Sequence, residues 1–172
     1  MARLPYADTT DPALAEHASR IAAERGGKML NLYKMLLHSP PIADGWRQLL
    51  TAIRQQGLLP ARYRELAILR IAVINQAEYE FAQHVPFALQ EGYTSLQLAQ
   101  IKTPDYRPFF DTVDLLVIDY ADAMTTSIRV SQEIFSALRV YFSDREMVEL
   151  TATVGAYNMV SRFLEALQLD HD

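Results

Sequence analysis

Cysteine is absent from the 172-residue chain, and that absence excludes disulfides, thiolate nucleophiles, iron–sulfur clusters and cysteine-ligated zinc. Glycine is scarce, at 6 residues, and β-branched residues rarely alternate with polar ones over a strand-length window, which argues against a sheet. No apolar run approaches the ~20 residues that a membrane-spanning helix needs. The opening stretch, Met1 to Thr10, has no charged-then-apolar signal pattern, so a cytoplasmic location with no membrane partner is expected. A basic excess is missing too: 16 Lys and Arg stand against 21 Asp and Glu, giving a net charge of −5 and a pI near 5.3. Nucleic acid is therefore not expected as a partner.

What remains is apolar enough to fold. Half the residues are hydrophobic and 22% are charged, which supports a core and excludes intrinsic disorder. The length suits one domain, 1–172.

Spacings of three and four recur along the whole chain, so the expected fold class is all-α. Asp11-Pro12 can start a helix ending near Gly26-Gly27, and a short one follows from about Leu30 to Leu37. Ser39-Pro40-Pro41 opens the next, which runs to Gly57. From Pro60 a helix carrying Leu66, Ile68, Leu69, Ile71, Val73 and Ile74 is apolar nearly all round, the mark of a central, buried element. Another spans Ala77 to Gln90, stopped by Gly92, with Pro86 predicting a kink or a fresh start just past His84. Thr94 to Gln97 and Ser143 to Glu146 read as capping boxes, the second opening a last long helix that ends near Leu167. Between them, Val113, Leu116, Val117, Tyr120 and Met124 mark one amphipathic helix and Ile134, Leu138 and Tyr141 a shorter one. Glu65-Leu66 and Glu149-Leu150 each follow a charged start and precede a long apolar run, a faint internal echo.

One group of residues could do chemistry. On the Ala77 to Gln90 helix, Ala77, Glu80, Phe81 and His84 share a face. Glu80 is one turn from His84, and a carboxylate beside an imidazole raises the imidazole's proton affinity. Glu65, on the neighbouring buried helix, could reach the other ring nitrogen, giving a Glu–His–Glu relay. Arg62, Arg64 and Arg70 are candidate anion holders, and Tyr79 flanks the pair. The structural alternatives are a solvated Glu80–His84 pair, an Arg62–Glu65 salt bridge, a solvated first turn for Arg62 and Arg64, a structural ion pair for Arg70 and packing for Tyr79. His84, Glu80 and Glu65 could supply three metal ligands, but no metal-binding spacing supports that, so no metal is expected.

The run from Arg62 to Arg70, followed by Asn75-Gln-Ala-Glu-Tyr-Glu-Phe-Ala-Gln-His84 and Gly92 ahead of a Thr-capped helix, resembles the carboxymuconolactone decarboxylase family of the alkylhydroperoxidase D-like (AhpD-like) superfamily. The resemblance covers about 58–101. It implies an AhpD-like helical domain with a repeated two-helix element, preceded here by a helical extension over about 1–38. In the peroxidase branch a Glu precedes a Cys-x-x-Cys pair and then a His. On this chain the Glu falls on Glu65 and the His on His84, while Ala77 and Glu80 stand where the cysteines would be, so thiol peroxidase activity is expected to be absent.

The decarboxylase branch works without those thiols and without a cofactor. Its likeness implies lyase or proton-transfer chemistry on a small carboxylate or lactone, with catalytic His84, Glu80 and Glu65 and substrate binding by Arg62, Arg64, Arg70 or Tyr79. It also implies a homo-oligomer. The alternative is a non-catalytic AhpD-fold oligomer that binds a small molecule or partner.

Overall fold

The computed structural model describes residues 1–24 and 26–172, and among them every regular element is a helix. Nine α-helices follow in order: α1 (Ala15–Glu24), α2 (Asn31–Leu36), α3 (Pro40–Thr51), α4 (Ala61–Ile74), α5 (Glu78–Gln90), α6 (Ser95–Gln100), α7 (Thr112–Ser127), α8 (Gln132–Leu138) and α9 (Asp144–Leu167). The helices fall into two compact units, one of residues 1–55 with 164–172 and one of residues 56–163.

In the first unit α3 packs against α1 and α2, and Ile21, Tyr33, Leu37 and Ala43 are almost wholly buried. The chain ends meet here. Asp170 accepts from the Ala2 N–H and the Tyr6 hydroxyl, and Arg3 donates to the carbonyls of Leu167 and Ala166. The Asp11 carboxylate accepts from Ala13 N–H and Leu14 N–H bonds to Asp11 O, so a turn over 12–14 leads into the chain's first regular helix, α1, which starts at Ala15. The sequence places the end of this helix near Gly26-Gly27, and residue 25, just before that point, lies outside the described residues. α3 ends early, giving way to a π-helical stretch over Ala52–Gln56.

The second unit is built around α4, which packs on both α5 and α7. Leu66, Ala67, Ile68, Leu69 and Ile71 are all 0% exposed, as a helix without a polar face requires. Pro60 precedes its first turn, where a missing N–H goes unnoticed. At its far end Ala77 N–H reaches back to Ala72 O and Gln76 N–H to Val73 O. That closure puts exposed Gln76 at φ 56°, a left-handed backbone that a side chain resists. Gln76→Gly is therefore expected to stabilise the fold by about 0.5–1 kcal/mol, seen as a higher urea midpoint. A lower midpoint would contradict that reading.

α5 runs through Pro86 as one helix, so no new helix begins there. It ends as α4 does, with Gly92 at φ 93° and Tyr93 N–H bonded to Ala88 O. Both capping boxes form: Thr94 with Gln97, and Ser143 with Glu146. α7 starts at an Asp111 cap, and its buried residues are Asp114, Val117, Ile118, Tyr120 and Ala121. Val117 and Tyr120 belong to the predicted stripe, whose Val113, Leu116 and Met124 are half-buried, while Asp114, Ile118 and Ala121 widen the buried face to one side.

Candidate active site

α4 and α5 lie side by side and bring Glu65 and His84 together. The His84 ring nitrogen Nδ1 is 2.6 Å from Glu65 Oε2, a charge-assisted length. Both are buried, with 9% of the His84 side chain and 2% of the Glu65 side chain exposed. The second Glu65 oxygen, Oε1, accepts from Arg64 Nε at 3.2 Å. Glu65 thus joins an imidazole on one side to a guanidinium on the other. The Tyr157 ring of α9 meets the His84 ring edge-on, with centroids 5.1 Å apart, and Phe87 packs 5.9 Å away. Aromatic contacts on two sides fix the plane of the imidazole.

Glu80 sits one turn before His84 and is 2% exposed. Its Oε2 lies 2.8 Å from the hydroxyl of Ser161, a fully buried residue on α9. Tyr79 is buried on the same helix.

The three arginines go separate ways. Arg62 donates to Asp114 Oδ2 at 2.6 Å, lies 3.5 Å from Asp111, and stacks 4.3 Å from the Tyr93 ring centre. Burial opposes its charge, yet Asp114 and its neighbours hold its pKa above the ordinary value. Asp114 also accepts from the Tyr93 hydroxyl at 2.7 Å. Burial, then the nearby Asp114 charge, pushes the Tyr93 phenol well up. Arg70 makes a two-pronged bond to Asp122 at 2.6 and 2.8 Å, donates to Ile101 O, and lies over the Tyr106 ring. Burial works against it as well, but Asp122 keeps its pKa raised. Arg62 and Arg70 are therefore neutralised by carboxylates of α7. Arg64, 14% exposed, stays beside the Glu65–His84 pair. It binds Glu65 through Nε, and its terminal nitrogens take no hydrogen-bond partner among the described residues.

The glutamate echoed in α9 has a different task. Glu149 Oε2 accepts the N–H groups of Leu58 and Leu59 at 2.6 and 2.7 Å, and Oε1 accepts from Arg145. Burial raises its pKa, but these donors together hold it below the ordinary value. Of the two echoed carboxylates, one caps the entry to α4 and the other holds the histidine. Among the described residues, no group of three or more His, Asp and Glu is arranged to hold a metal ion, and no helix is long and apolar enough to cross a membrane.

Residues 40–103 match the Carboxymuconolactone decarboxylase family. Among curated proteins no sequence matches the chain. Several solved structures share the fold, among them the following three. An uncharacterized peroxidase-related protein from Silicibacter sp. TM1040 is 20% identical, with a TM-score of 0.82 over 99% of this chain and 90% of that one. A second such protein, from Ralstonia eutropha JMP134 and described as an alkylhydroperoxidase AhpD core, is 16% identical, with a TM-score of 0.84 over 99% of this chain and 92% of that one. A debrominase in complex with 2,3,4-tribromopyrrole is 16% identical, with a TM-score of 0.78 over 100% of this chain and 94% of that one. The shared architecture is AhpD-like.

Proposed function

From a chain whose residues 40–103 match the model of the carboxymuconolactone decarboxylase family and whose fold is AhpD-like, we propose that the activity is proton transfer, without a thiol or a cofactor, to a small carboxylated lactone. The observation that carries this reading is the buried 2.6 Å contact between Glu65 and His84. A carboxylate at that distance favours the protonated ring and fixes which nitrogen faces it. Nε2 is then the atom that gives or takes a proton at the substrate. Thiol peroxidase chemistry has no nucleophile in a chain without cysteine.

The reaction needs little more. The carbon–carbon bond to a substrate carboxylate breaks and carbon dioxide leaves. The electron pair passes through the ring double bond into the lactone carbonyl, and His84 then delivers a proton to carbon. Arg64 is the arginine best placed to hold a second carboxylate, since Arg62 and Arg70 are neutralised by Asp114 and Asp122. Arg64→Ala is expected to weaken binding of lactone carboxylates by about 10-fold or more, measured by calorimetry, while leaving binding of the corresponding neutral esters nearly unchanged. Equal loss for acids and esters, or no loss for either, would remove Arg64 from the site.

A second reading, a helical oligomer that binds without turnover, is favoured by a different region. An open apolar groove of about 540 Å³ runs between α8 and α9, lined by Phe135, Met147, Val148 and Ala152, with Arg139 and Asp144 at its edge. Val148 is 67% exposed there, and a patch of that kind suits contact with a second copy of the chain.

A further inference from the structure

The Ser161 hydroxyl has two oxygen neighbours and a single proton to offer. Glu80 Oε2 is at 2.8 Å and the Tyr157 carbonyl oxygen at 2.9 Å. The carbonyl can only accept. When Ser161 donates to Tyr157 O, its contact with Glu80 is a hydrogen bond only if Glu80 supplies the proton, as a neutral acid. When Glu80 is ionised, the hydroxyl turns to it. Tyr157 O can give up the serine bond at little loss, because it lies inside α9, where the helix supplies a backbone donor.

Turning one hydroxyl therefore gives Glu80 Oε2 a partner in both protonation states of a carboxyl that is 2% exposed, with no movement of heavy atoms. A buried carboxyl without such a partner is pushed toward its neutral form. We propose that Ser161 is a positioning residue for Glu80, holding that carboxyl in one place beside the Glu65–His84 relay while its proton comes and goes. This makes Glu80, one turn from His84, a local proton store for the relay. The charged and polar groups around Glu80 and His84 include Glu65 and Arg64 from α4 and Ser161 from α9. The inference rests on the Glu65–His84 relay.

Nuclear magnetic resonance titration of the Glu80 side-chain carboxyl carbon and the His84 ring tests it, in wild type, Ser161→Ala, Ser161→Thr, Glu80→Gln and the double variant Glu80→Gln/Ser161→Ala. Losing a charge-assisted donor disfavours the ionised carboxylate more than losing an acceptor disfavours the acid. Ser161→Ala is thus expected to raise the Glu80 midpoint by about half to one pH unit. With less negative charge nearby, the His84 midpoint falls. Ser161→Thr keeps the hydroxyl and both midpoints. In the Glu80→Gln background, Ser161→Ala leaves His84 where it was, because no charge remains to be stabilised.

A merely structural serine would move His84 equally in both backgrounds, and that result overturns the proposal. So does a Ser161→Ala protein with unchanged midpoints, or a Glu80 that does not titrate while the protein stays folded. If Ser161→Ala does not fold, Ser161→Cys, a weaker donor of similar size, is read in its place. Glu65→Gln in the same series separates the two ideas. If it leaves His84 unmoved the relay itself fails, and if it moves His84 while Ser161→Ala does not, only the role of Ser161 fails.

Discussion

Asp114→Ala is expected to be among the most destabilising single substitutions in the chain, lowering stability by about 2–4 kcal/mol. The carboxylate is 0% exposed and accepts from Arg62 and Tyr93 at 2.6 and 2.7 Å. Its removal leaves a guanidinium and a phenol, both turned inward, to find other partners. Arg62 recovers part of the loss, because it is 31% exposed and lies within reach of Asp111. Tyr93, stacked beneath Arg62 and 3% exposed, recovers little. Asp114→Asn keeps the shape and an acceptor for the phenol, so it should lose about half as much. Urea unfolding of the three proteins checks the order. A drop under about 1 kcal/mol for Asp114→Ala would mean that the Asp114 contacts add little to the hold of α7 on α4.

Glu65→Gln should have the second large effect, this time on proton affinity. The amide oxygen can still accept from His84 Nδ1, so the imidazole contact survives while the charge and the Arg64 bond to the second oxygen are lost. The His84 midpoint is expected to fall by about one pH unit or more. Arg64 works in the same direction: bonded to Glu65 Oε1 at 3.2 Å, it loses its counter-charge and opposes a second positive charge on the ring. A shift below about 0.3 units would show that Glu65 orients the imidazole without changing its chemistry.

The sequence was most informative where one residue's chemistry decides an element's start. Thr94 and Ser143 each accept a backbone N–H three residues on, and their helices begin where those residues suggest. Glu65 and His84 were legible for a different reason. A glutamate on a helix with no polar face has few places to put its charge, and the neighbouring helix offers an imidazole. The π-helical stretch at Ala52–Gln56 leaves no comparable mark, since nothing in Ala-Ile-Arg-Gln-Gln distinguishes it from an ordinary last turn.

Long-range partners were the least legible. Arg62 and Arg70 find Asp114 and Asp122, each 52 residues away, and periodicity says nothing about such pairings. Ser161 did leave a signal. It continues the apolar stripe of Leu150, Val154, Tyr157 and Leu164 in α9, and a hydroxyl on a buried stripe needs a partner. That the partner is Glu80, 81 residues earlier, only the fold can tell.

In the proposed activity His84 delivers a proton to carbon. Its most direct test is to offer the wild-type protein and His84→Gln a panel of small unsaturated lactone carboxylates in heavy water, following carbon dioxide release and the mass of the product. The expected result is a product carrying one deuterium at the protonated carbon, formed by wild type and at least about 100-fold more slowly by His84→Gln. Turnover undiminished in His84→Gln, or wild-type protein that binds the lactones and releases no carbon dioxide, would contradict it.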